Sequence, residues 1–227
     1  MISRFFKTTV GLLAVPFALG TAKAFYGMVS GISLVSSTLN VLERGVLAYL
    51  LLHVLVMRPV YIYVLGHETV HVLATWLCGG KVVSFNVTPS GGNVVTSKTN
   101  FFIELSPYFV PLYTILLGVA YFALRVSGQQ FTHMTLYFIF LVGVTLAFHF
   151  VMTSEVLRVQ QPDIVRSGLV FSLVLILIGN LIITMAFFCP LFDLSFVNFI
   201  KGSWQNSWGM YQDIYVNVSE FVKTNLI

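Results

Sequence analysis

Long apolar runs separated by short polar breaks dominate the chain, a pattern of membrane-crossing helices rather than of amphipathic stripes in a water-soluble bundle. Residues 46–78 are almost uniformly apolar; as one helix they would extend about 50 Å, too far for a single straight crossing. Arg58-Pro59 divides them, because proline suits the first turn of a new helix and disfavours helix at the residue before it. Residues 59–78 then have the length of one span, about 20 residues. Residues 46–57 are open between a separate crossing, a re-entrant piece and a kinked continuation. Further apolar runs predict spans at 105–124, which carries Pro107, Pro111 and Gly118, at the aromatic-rich 131–152, and at 168–188.

The pattern changes after Gly79-Gly80, which end the preceding helix. Val82-Val-Ser-Phe-Asn-Val-Thr88, then Pro89-Ser-Gly-Gly92, then Asn93-Val-Val-Thr-Ser97 place β-branched residues on both sides of a turn and predict a β-hairpin. Strand edges do not face lipid. The hairpin therefore sits at the interface, in a protein-lined cavity, or against another strand. Two roles stay open for it: a plain surface hairpin, or an edge that holds an extended substrate. At the N-terminus, Arg4 and Lys7 precede an apolar stretch and Thr21-Ala22-Lys23-Ala24. Residues 1–24 thus read as a secretory signal or a retained first anchor. Residues 191–227 mix Trp204, Trp208, Tyr211 and Tyr215 with Lys201, Asp213, Glu220 and Lys223, which suits an interfacial segment. The expected fold is an α-helical polytopic membrane protein with about five or six transmembrane helices, a small β-hairpin, and a single core over residues 25–190.

Composition agrees: 57% of residues are hydrophobic and 9% charged. The net charge of +4 is scattered, with no basic run to follow a phosphate backbone, so nucleic acid is not an expected partner. Cys78 and Cys189 are isolated and show neither zinc-ribbon nor disulfide spacing.

Against this background Gly66-His67-Glu68-Thr69-Val70-His71 stands out as a His-Glu-x-x-His motif within an apolar span. On a helix His67 and His71 project about 40° apart and can share a metal ion, while Glu68 beside them can take a proton from water. Ionisable groups in a membrane span are costly and usually functional. A purely structural hydrogen-bonded network is the plainer alternative. A catalytic metal site needs a third protein ligand. The chain leaves the motif helix near Gly80, crosses at 105–124 and returns at 131–152, so the loop 153–166 lies on the hairpin's side. Asp163, in Gln160-Gln-Pro-Asp163, is the preferred third ligand; its alternative role is turn formation after Pro162. His149 is a further candidate as ligand, transition-state donor or core histidine. Glu104 and Glu155 read as solvated helix-end charges. His53 and His133 read as satisfied interface or core residues.

The run Gly66–His71, the stretch Ala74-Thr-Trp-Leu-Cys-Gly79-Gly80-Lys81-Val82, the turn Pro89-Ser-Gly-Gly92 and Ser106-Pro-Tyr-Phe-Val-Pro111 together resemble the site-2 protease family of intramembrane zinc metallopeptidases, in its short, minimal-core form. The likeness covers residues 60–125 and extends further only by topology. It implies that His67 and His71 bind Zn2+, that Glu68 activates water, and that the substrate is a membrane-spanning protein in the bilayer. The family's usual third ligand is an Asp in a Leu-Asp-Gly segment; this chain lacks the segment, and Gln161-Pro162-Asp163 is a faint echo of it. The expected function is intramembrane zinc metalloendopeptidase. The alternatives are a non-proteolytic scaffold or assembly subunit of the same fold, and a transporter or proton-path subunit using His67, Glu68 and His149 as a relay.

Overall fold

In the computed structural model, which describes residues 4–129 and 131–226, most of the chain is helical, with one two-stranded sheet. The helices are α1 (Arg4–Val29), α2 (Ser37–Leu55), α3 (Val60–Leu77), α4 (Phe101–Leu105), α5 (Leu112–Val126), α6 (Met134–Leu157), α7 (Pro162–Ser167), α8 (Leu169–Phe192) and α9 (Phe196–Leu226). Strands β1 (Val82–Thr88) and β2 (Gly91–Thr96) pair antiparallel, from Thr88 opposite Gly91 to Val82 opposite Thr96, with a bulge at Val83. The hairpin therefore turns at Pro89-Ser90.

Among the described residues, α1, α2, α6 and α8 are long and apolar enough to cross a membrane, and the bent pair of α4 with α5 makes a fifth if counted as one span. The motif helix α3 is not among them. Its middle carries His67, Glu68 and His71, which lower its mean hydropathy just where a lipid-facing helix would be most apolar. The run 105–124 is not one straight helix. Pro107 lies in a 3₁₀ turn at Ser106–Tyr108, Pro111 caps α5, and the two pieces meet at 77°. Residues 46–55, left open by the sequence, belong to α2, which begins at Ser37, where Ser36 caps it by accepting from Leu39 N.

Contacts group the chain into two units, Ser33–Ser167 and a second made of Met1–Ile32 with Gly168–Ile227. In the second unit α1 runs through Thr21–Ala24 without a break and packs on α8 and α9. Its core gathers Ala24, Met185, Cys189 and Phe199. The tail at 196–226 is one long helix, with Trp204 and Trp208 stacked and exposed on it.

In the first unit α2 and α6 run side by side in the same direction: Tyr49 meets Phe148 and His53 meets Glu155. Tyr49, Tyr63, Ala147, Phe148 and Met152 form the core against which α3 lies. The end of α3 follows from Gly79, whose φ of +68° suits a residue without Cβ. Gly79 N–H bonds to Trp76 O and Gly80 N–H to Thr75 O, the paired bonds of a Schellman ending. That turn sends the chain into β1 and lays the hairpin back across α3.

Candidate metal centre

His67 and His71 lie one turn apart on α3, their ring centroids 4.9 Å apart and nearly perpendicular. The Nδ1–H of His71 donates to the carbonyl of Ile103 at 2.7 Å. A backbone acceptor of this kind fixes the tautomer and leaves Nε2 with a free lone pair. That Nε2 is 3.5 Å from Oδ2 of Asp163, in the first turn of α7. His67 Nδ1 is buried without a hydrogen-bond partner. An orphaned buried nitrogen costs free energy unless something pairs with it.

Tyr108 connects the two sides. Fully buried, it donates its hydroxyl to Asp163 Oδ2 at 3.3 Å and stands edge-on to His67 at 5.0 Å between centroids. Burial works against the Asp163 carboxylate, but when Nε2 of His71 takes a proton its hydrogen bond and charge, joined by His67 and Tyr108, prevail and hold the Asp163 pKa below the ordinary carboxylate value.

One donor atom each from His67, His71 and Asp163 lie within 4.8 Å of one another. In a tetrahedral site with bonds of about 2.1 Å, neighbouring donors are roughly 3.4 Å apart. The His71–Asp163 edge, at 3.5 Å, already has that length. The donor types and spacing, and the orphaned nitrogen of His67, therefore fit a divalent ion.

These groups line a cavity of ≈ 240 Å³, whose wall also includes Glu68, Glu104 and the strand residues Asn93 and Thr96. Glu68 is buried, and Gly92 of β2 lies directly on it. A Cβ at residue 92 would overlap the Glu68 side chain, coming to 2.7 Å from Oε1. Only glycine lets the strand approach this closely. The hairpin thus confines the carboxyl that the motif supplies.

The remaining sequence candidates fall elsewhere. His149 is buried but does not join the donor group; it lines a chamber of ≈ 20 Å³ that it shares with His67, Tyr63 and Phe148. Glu104 is not a solvated helix-end charge: 7% exposed, it accepts from Thr99 Oγ1 at 3.2 Å and from Ser167 Oγ. Glu155 is not free in solvent either, lying 3.2 Å from His53 Nε2 and 3.6 Å from Arg58. His133 is exposed and precedes α6 with a φ of +62°. Sequence reasoning missed Tyr108, the Ile103 carbonyl and Gly92's contact with Glu68. None carries a periodic signal, because each acts through partners distant along the chain. No family model, no curated protein and no solved structure matches this chain.

Proposed function

We propose that the chain is an intramembrane metalloendopeptidase that hydrolyses peptide bonds of membrane-spanning proteins. One observation carries this reading: two imidazoles and a carboxylate converge to within 4.8 Å at the wall of a polar cavity that also holds Glu68. The helices apolar enough to cross a membrane support the lipid setting. Zinc is the ion this donor set suits, since Zn2+ takes nitrogen and carboxylate oxygen from three protein ligands and leaves a fourth position for water. His67, His71 and Asp163 would hold it, with Tyr108 and the Ile103 carbonyl orienting two of them. Bound there, the ion would supply Lewis acidity toward water and toward a peptide carbonyl.

Glu68 takes the proton from the attacking water and passes it to the departing amide nitrogen, so the C–N bond breaks to give a carboxylic acid and an amine. Gly92 keeps that carboxyl against the cavity wall. Strand β2 borders the cavity, and among the described residues the sheet has only its two strands. A locally unwound substrate would pair along the strand's outer edge, which brings its backbone to the donors in extended form. The polar lining admits the water that hydrolysis consumes.

The test uses the full chain purified in detergent, its metal content, and a panel of reporter peptides, each one apolar helix with a central helix-breaking residue. The expected result is about one zinc per chain, with Glu68→Gln keeping the metal and losing cleavage, and His67→Ala losing both. Cleavage retained in Glu68→Gln would remove this chemistry. Zinc binding by a wild type that cleaves nothing would favour the scaffold role.

A further inference from the structure

The helix that presents Asp163 is only six residues long and cannot hold its own position. Its principal packing partner is α4. Asp163 and Ser167 are four residues apart and therefore share one face of α7. Asp163 meets His71 and Tyr108, while Ser167, fully buried, donates its hydroxyl to Oε2 of Glu104. The other oxygen of Glu104 accepts from Thr99. Glu104 itself sits on a fixed base, because Asn100 caps α4 by accepting from Ile103 N at 2.8 Å. Adjacent residues of one short helix thus reach both sides of the centre: the Ile103 carbonyl holds His71, and the Glu104 side chain holds the helix of Asp163.

We propose that Glu104 is a positioning residue of the metal centre, setting the place of Asp163 by tying Ser167 to α4. Glu104 does not belong to the donor group itself. It acts one helical turn away, through a buried hydroxyl that loses its carboxylate acceptor if Glu104 is removed. The inference rests on the metal-centre reading above.

The experiment titrates Co2+ into the full chain in detergent, as wild type, Glu104→Ala, Ser167→Ala, the double variant and Glu104→Gln. Cobalt reports both affinity and, through its visible absorption, ligand geometry. Each alanine variant is expected to weaken Co2+ binding by about 10- to 100-fold and to alter the visible bands. The double variant should bind no more weakly than the worse single one, because both substitutions remove the same tie. Glu104→Gln keeps an acceptor for Thr99 and a side chain that Ser167 Oγ can pair with, so it should recover part of the loss. Unchanged affinity and spectrum in Ser167→Ala, the gentler change and the one that decides if Glu104→Ala fails to fold, would overturn the proposal; so would losses that add in the double variant. A wild type that takes up no cobalt would instead overturn the metal centre, and this role with it, before any variant is made.

Discussion

His53 and His71 each face a carboxylate, Glu155 at 3.2 Å and Asp163 at 3.5 Å, yet the two clusters have opposite chemical prospects. Both ring nitrogens of His53 are occupied: Nδ1 lies 3.1 Å from the Tyr49 hydroxyl and Nε2 faces Glu155, which Arg58 also approaches. Donor, acceptor and charge are matched there, and no lone pair is left over. At the other cluster the Ile103 carbonyl takes one nitrogen of His71, a second imidazole stands beside it, and His67 keeps a buried nitrogen without a partner. His71 thus differs from His53 in that its second nitrogen is held by a backbone carbonyl while another donor converges beside the first.

The largest effects should break this contrast most clearly. His67→Ala, His71→Ala or Asp163→Ala should each lower metal affinity by more than about 100-fold, beyond the usual effect of outer partners, as read by metal analysis after dialysis against a chelator. His53→Ala should leave the bound metal intact in the same assay, and loss of metal in that variant would erase the distinction. Next comes Gly92→Ala. It should reduce cleavage by about 100-fold while metal stays bound, because the added methyl displaces Glu68. Tyr108→Phe removes only a hydroxyl from Asp163, and about a 10-fold weaker metal affinity with unchanged helical content is expected in a Co2+ titration. The smallest change belongs to the matched cluster. Glu155→Gln should lower stability by roughly 1 kcal/mol in thermal unfolding, given that Arg58 is mostly exposed and contributes little.

What was legible in the sequence was local or followed from chain direction. The hairpin could be read because its alternation and its turn residues are contiguous, and it forms at Val82–Thr88 and Gly91–Thr96. The pairing of His67 with His71 follows from helical spacing alone. Asp163 was reached by tracing which side each loop returns to, and the structure brings it to His71. Glu104 was misread because a carboxyl at the start of an apolar run looks the same whether solvated or buried. Its surroundings depend on Ser167, which is remote in sequence. The bend before α5 had its signal in Pro107 and Pro111, but hydropathy smoothed over it.

The polarity at the middle of α3 also bears on how the protein is made. In bare hydrocarbon, a helix bearing His67, Glu68 and His71 would be a poor candidate to partition alone. Any residence in lipid would be collective, resting on packing against the hairpin, α4, α5 and α6. A nascent chain halted before residue 134 would still lack α6, so its α3 should linger at the headgroup layer until the later helices arrive to escort it inward.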